Sequence, residues 1–288
     1  AMLHRTISIM LAVGAMLLST GAGLAAKRIA LVIGNDVYAN VASLQKAVND
    51  ARAVAGTAEG LGFQVILGEN LSRREMNRKL ADLDASVQPG DTVLFFYAGH
   101  GVAVGNDNFL LPTDIPKPKS GEDGLVRDEA HSADAIIRRI KNRGAAVAFV
   151  VLDACRDNPF AAAGTRDLGL ARGLVRIEPP SGVFVLYSAG TGQTALDRLG
   201  DDDPDPNSVF TRKLLPLMQT PGITHVELAK RVQQQVDKLA SSVNHAQQPA
   251  YYDQIVGEVV LKDAAVVATA STAATGNVSL SEAADAWR

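Results

Sequence analysis

Cysteine is almost absent from this sequence: Cys155 is the only one among 288 residues. No internal disulfide can close, which excludes a disulfide-stapled scaffold. No H-E-x-x-H run and no Cys/His cluster exists to hold zinc, so no metal site is predicted. Aromatic residues are scarce at 5 %, too few for the stacking platforms that bind single-stranded nucleic acid. Positive charge is not in excess either. The net charge is −3, and nothing favours a polyanionic backbone as a partner. A Walker-type phosphate loop is missing, and no internal repeat is visible. Long apolar runs are also missing. The most apolar stretch, residues 7–18, is short for a membrane span of roughly 20 residues.

That stretch fits another purpose. His4 and Arg5 precede it, and small residues fill 19–26 behind it. A positive start, a short apolar middle and a small-residue end describe a secretory signal, with cleavage expected after Ala25 or Ala26. Residues 1–26 are read as this signal, with Ala1 before Met2 as an added residue. The mature protein is expected in the periplasm or outside the cell, with no membrane span. In an exported chain a lone thiol points to reactivity or to intermolecular pairing, against the plain alternative of a small buried apolar side chain.

What is present is rhythm. Hydrophobic residues make up 47 %, ample for a core. Apolar runs at 28–33, 63–67, 92–98, 147–152, 183–187 and 256–261 read as strands. Helical spacing covers 47–61, 132–141 and 208–218. Ser72 with Glu75, and Thr224 with Glu227, make capping boxes that open two more helices, to about 85 and 240. Residues 108–111 read as a small hairpin arm. Strands apolar on both faces and alternating with helices signify a mainly parallel sheet covered by helices. The stretch 156–182 carries no clear period, and 200–207 is acidic and Pro-rich. Residues 27–262 are read as one domain, and 263–288 as a low-complexity tail or linker.

Chemistry concentrates at two strand ends. The third strand runs into Tyr97-Ala98-Gly99-His100-Gly101, the fourth into Leu152-Asp153-Ala154-Cys155-Arg156. Ligands of parallel sheets bind outside the carboxyl ends of the strands. If these two strands are neighbours, a thiol and an imidazole share one edge, and the imidazole can deprotonate the thiol into a nucleophile. Backbone N–H groups near the flanking glycines, with that of Cys155, can stabilise an oxyanion.

These two segments, the second continuing through Asp157-Asn158-Pro159-Phe160, resemble the signatures of bacterial caspase-like peptidases, prokaryotic relatives of metacaspases and paracaspases. The caspase pattern Q-A-C-[RQG]-G has its histidine roughly 50 residues upstream. Here Cys155 follows His100 by 55 residues; Ala154, Cys155 and Arg156 fit, while Asp153 and Asp157 depart. The resemblance runs from about Arg28 to Leu261 and includes 44–50, Val209-Phe210-Thr211 and Gln248-Pro249. It implies a three-layer caspase-like α/β sandwich, with a mainly parallel six-stranded sheet and helices on both faces. His100 would be the general base and then acid, Cys155 the nucleophile, and the N–H groups of Gly101 and Cys155 the oxyanion hole. Ser188 would meet the substrate main chain. The departure at Asp153 points toward the metacaspase-like relatives, whose acidic side chains hold a basic substrate residue; the matching positions are Asp50 and Asp153. Carboxylates grip a guanidinium bidentately and repel an aspartate, so cleavage of a peptide or protein after Arg, then Lys, is expected. The loop after Cys155 sits where caspases are cut, and Arg166, Arg172 and Arg176 are candidate self-cleavage points, against an uncut loop.

Other signals are discounted. Gly190-Thr191-Gly192-Gln193-Thr194-Ala195 matches a dinucleotide fingerprint but opens no helix. Asp201, Asp203 and Asp205 hint at a calcium loop, yet Pro206 and Arg212 stand where an EF-hand needs glycine and glutamate; a solvated acidic loop is expected. The acidic pair of calcium-activated metacaspases aligns with Asp128 and Glu129, which leaves calcium open but not predicted. His131, His225 and His245 read as surface or capping residues. Two competitors stand beside the peptidase: another cysteine hydrolase on the same fold, and a non-catalytic caspase-fold binding module.

Overall fold

The apolar runs pair with one another. In a computed structural model of the chain, which describes residues 26–119, 122–155, 160, 170–171 and 174–264, β1 (Arg28–Gly34) lies between β2 (Gln64–Glu69) and β3 (Thr92–Val104). Beyond β3 come β6 (Val147–Cys155), β8 (Val183–Tyr187) and β9 (Ala250–Asp253). Every pair on this path is parallel except the last, where β9 runs antiparallel to β8. Residues 1–25 of the expected signal, most of the tail, Arg166 and Arg172 lie outside the described residues.

Strand periodicity divides the core. Ile29, Leu31, Val93, Phe95, Val150 and Leu152 pack with Met76, Leu80 and Leu83 of α2 (Arg73–Ser86) and with Ile136, Ile137 and Ile140 of α4 (Ala133–Asn142). The alternate residues Ala30, Val32, Leu94, Phe96, Phe149 and Val151 pack with α1 (Ala47–Gly60), α5 (Thr211–Met218) and α6 (His225–Ser241). Each large apolar side chain buried this way is worth about 1.5–3 kcal/mol, so these helix-flanked faces hold the sheet. The helices start where their caps dictate. Ser72 and Glu75 form a complete capping box, and Thr224 accepts from the Glu227 N–H. No described helix is long and apolar enough to cross a membrane.

Six strands in three layers is too simple. Among the described residues the sheet has nine strands, because β3 does not stop at Ala98. It continues as an antiparallel hairpin with β4 (Asp107–Leu110), turned by Gly105 at φ +64°; glycine suits the first position of such a turn. β5 (His131–Ser132) pairs with β4, and β7 (Leu170–Ala171) with the far end of β3. This arm, with α3 (Asp123–Glu129), builds a third cluster around Val102, Phe109, Leu111 and Val126.

The last strand is also corrected. Residues 256–261 make only an isolated bridge, Thr224 to Val260, and Val256 is 91 % exposed. Ala250–Asp253 takes the edge instead. Tyr251 stacks on Phe184 at 5.7 Å and Tyr252 meets Tyr187 edge-on at 6.0 Å, contacts that outbid the aliphatic run. The helix expected from 208 begins at Thr211, whose N–H donates to Ser208 Oγ.

Candidate active site

His100 is the last residue of β3 to pair with β6; from Gly101 onward β3 pairs with β4. In the parallel register Asp153 lies opposite Ala98, Ala154 opposite Gly99 and Cys155 opposite His100. The backbone thus brings the two signature segments side by side at the carboxyl ends of neighbouring strands.

The imidazole of His100 is held from a loop that carries no periodicity. Its Nε2 lies 2.7 Å from the Ala42 carbonyl oxygen. A carbonyl only accepts, so Nε2 carries the proton and Nδ1 keeps the lone pair. That Nδ1 is buried without a hydrogen-bond partner among the described residues. The backbone N–H of His100 donates to Tyr38 Oη at 2.8 Å, and the Tyr38 ring tilts against the imidazole at 4.6 Å. Tyr97 Oη lies 2.9 Å from the His100 carbonyl and 2.8 Å from that of Leu111. Gly99 makes room for both phenols: a Cβ there would sit 2.6 Å from Tyr97 Oη and 2.7 Å from Tyr38 Oη. Burial lowers the pKa of His100 and outweighs the Ala42 contact, which raises it. The ring is therefore neutral at pH 7, with a free basic nitrogen.

Beside it lies an acidic pocket, lined by Leu44, Ala47, Asp50, Ala98, Gly99, Asp153, Ala195, Leu196, Asp197 and Ser208. Asp50 and Asp153 are both buried, and Ser208 bridges them. Its N–H donates to Asp50 Oδ1 at 2.9 Å, its hydroxyl to Asp153 Oδ2 at 2.7 Å. Asn207 adds a second donor to Asp50, and Thr211 Oγ1 a second to Asp153. Even so, burial, then the neighbouring Asp153, push Asp50 up to about 8. Asp153 is also raised, by burial first, against the hydroxyls that lower it. Asp197, likewise raised mainly by burial, accepts the backbone N–H groups of Gln45 and Lys46. Among the described residues no cation contacts Asp50 or Asp153, so these carboxyl groups form a slot without a counter-charge of its own there.

Sequence reasoning missed four participants here: Tyr38, the Ala42 carbonyl, Asp197 and Ser208. A backbone carbonyl leaves no residue-type signal, and Asp197 lies two residues past the discounted dinucleotide-like stretch, in a segment without a period or motif of its own. Ser188 follows β8 and is 1 % exposed; its carbonyl accepts from Gln247 Nε2 at 2.9 Å. Among the described residues its hydroxyl makes no hydrogen bond of ordinary geometry, although it helps to lower the pKa of Asp153. Arg176 is exposed and lies over the Tyr252 ring at 4.9 Å.

Two discounted features behave differently from expectation. His131 and His225 are buried, not on the surface; His225 Nε2 lies 3.1 Å from Asp253 Oδ2, a partner that only the β9 correction brings near. Nor is Asp203 solvated. Its side chain, 3 % exposed, accepts from Lys46 Nζ at 3.0 Å and from Arg212 Nη2 at 2.6 Å. Asp201 is exposed, as a solvated loop requires. Glu129 lies 3.5 Å from Arg73.

A family model described as the caspase domain of the C14 peptidases matches residues 27–260. Two relatives are similar over part of the chain. The Mus musculus mucosa-associated lymphoid tissue lymphoma translocation protein 1 homolog is 27 % identical over 137 residues. The Homo sapiens mucosa-associated lymphoid tissue lymphoma translocation protein 1 is 26 % identical over 138 residues. The aligned stretch is 48 % of this chain and 16 % of either relative.

Proposed function

We propose, from the premise that this chain belongs to the caspase-domain family, that it is a cysteine endopeptidase cutting after arginine and, less well, lysine. The observation that carries the reading is the register that pairs His100 with Cys155 across neighbouring parallel strands. In this reading Nδ1 of His100 takes the proton of Cys155, and the thiolate attacks the carbonyl carbon of the scissile bond. The N–H groups of Gly101 and Cys155 hold the oxygen as it becomes negative. His100 returns the proton to the leaving amine as the C–N bond breaks. Water then hydrolyses the thioester, with the same imidazole as base. Ala42, by fixing one proton on Nε2, leaves Nδ1 as the atom that takes up and returns the other.

The substrate guanidinium enters the pocket of Asp50, Asp153 and Asp197 and supplies the missing positive charge. An aspartate there would put another carboxylate among groups that burial and mutual repulsion already keep from ionising freely, which is why cleavage after Asp is not expected. Ser188 is proposed to face the substrate main chain, and Arg176 to be one of the points of self-cleavage. The test is one assay set. Arg-, Lys- and Asp-ended reporter peptides are offered to wild type, Cys155→Ala and Asp153→Ala. The expected outcome is cleavage in the order Arg, Lys, then none; no activity without the thiol; and a large loss without the pocket carboxylate. Wild type that cleaves no reporter and takes up no thiol-directed peptide inhibitor would mark a binding module instead.

A further inference from the structure

Lys46 stands closer to the acidic pocket than any use yet given to it explains. It is the N-cap of α1, four residues before Asp50, and the Asp50 N–H donates to the Lys46 carbonyl at 2.8 Å. Side chains at i and i+4 of a helix are neighbours. Its own backbone N–H donates to Asp197 Oδ1 at 3.2 Å. Two pocket carboxylates therefore flank it, and its flexible four-carbon stem ends in the kind of charge that pocket lacks.

The ammonium nevertheless turns away. It binds Asp203 Oδ2 at 3.0 Å, and both side chains are nearly excluded from solvent. Asp203 is itself fixed from several sides. Arg212 donates through Nη1 at 3.2 Å and Nη2 at 2.6 Å, and the backbone N–H groups of Leu199 and Asp205 donate at 2.9 and 3.3 Å. Asp50 meanwhile has only neutral donors among the described residues, Asn207 and Ser208.

We propose that Asp203 is a specificity-positioning residue that holds the Lys46 ammonium out of the acidic pocket, which this lysine would otherwise fill in place of a substrate's basic side chain. The inference rests on the arginine specificity proposed above. A tethered lysine competes at the effective concentration of an intramolecular ligand, of millimolar order, so Asp203→Asn is expected to raise KM for an Arg-ended reporter about tenfold. The value of kcat should stay within about twofold, because the reacting groups are untouched.

Asp203 also steadies the loop that carries Asn207 and Ser208, so loss of KM alone would not separate competition from a loosened loop. Lys46→Met in the Asp203→Asn background does. Removing the competitor is expected to return KM to the wild-type value, whereas a loosened loop persists in the double variant. A folded double variant with KM as high as the single one overturns the inference. If Asp203→Asn melts below the assay temperature, the double variant decides alone: folding with wild-type KM supports the proposal, and failure to fold overturns it. Wild type that leaves the Arg reporter intact would sink the peptidase reading and this inference together; cleavage by wild type without rescue sinks only the inference.

Discussion

Replacing Asp50 by asparagine should make the protein more stable and a worse enzyme. Asp50 is 1 % exposed, and Oδ1 takes both of its hydrogen bonds, from Asn207 Nδ2 and the Ser208 N–H. An asparagine carbonyl in the same place keeps both. The substitution therefore removes little but charge. Burial and Asp153 raise Asp50 in the folded protein from 3.8 to about 8. Its contribution to stability is thus complete below pH 3.8 and is lost as pH rises toward about 8, because the unfolded chain ionises first. One pKa unit corresponds to about 1.4 kcal/mol. Sharing a proton with Asp153 reduces the full shift, and about 2–3 kcal/mol is a reasonable penalty above pH 8. At about 2–4 °C per kcal/mol for a domain of this size, Asp50→Asn should melt roughly 5–10 °C above wild type at pH 8.5 and close to it at pH 4. Turnover of an Arg reporter should move the other way. Losing one carboxylate opposite a buried guanidinium costs about 2–5 kcal/mol, at least about thirtyfold in kcat/KM. Thermal melts at the two pH values and reporter kinetics at one give both signs. An asparagine variant that loses stability at pH 8.5, or cleaves the Arg reporter as wild type does, would refute the reasoning.

Two further outcomes follow from the same geometry. Tyr38→Phe removes the acceptor of the His100 N–H. An unsatisfied buried donor costs about 1–3 kcal/mol, and a drop of several degrees in melting temperature with about a tenfold fall in kcat is expected, with KM little changed. Gly34→Ala should destabilise more, because a Cβ there would sit 2.4 Å from the Ala47 carbonyl oxygen and 2.7 Å from Ala51 Cβ. Overpacking of this kind costs about 1–3 kcal/mol or more, and denaturant melts should show it as a lowered midpoint.

Much of this molecule could be read from residue order. Parallel strands buried on both faces, such as 28–34 and 92–98, announce themselves as unbroken apolar runs, and the ends of two of them hold the histidine and the lone cysteine. Asp50 and Asp153 were legible through resemblance, and their shared burial follows from the pocket they line together and from Ser208, which bonds to both. What escaped depends on long-range competition. Residues 256–261 have strand-like composition, but the tyrosines at 251 and 252 find ring partners on β8 and occupy the edge. Tyr38 and Ala42 act from an irregular loop, one of them through its backbone alone. Asp203 looked like one acid among several; only folding brings Lys46, 157 residues away in sequence, to its carboxylate.

The most direct measurement of the His100–Cys155 pairing is the rate of iodoacetamide alkylation against pH. Cys155 is the only thiol in the chain, so all modification reports on it. Transfer of the thiol proton to Nδ1 leaves a thiolate beside an imidazolium, so wild type should alkylate with a midpoint below the ordinary thiol value of about 8.5, and His100→Ala should shift that midpoint back toward it. A wild-type midpoint near 8.5, unmoved by the substitution, would mean that the two side chains do not work together.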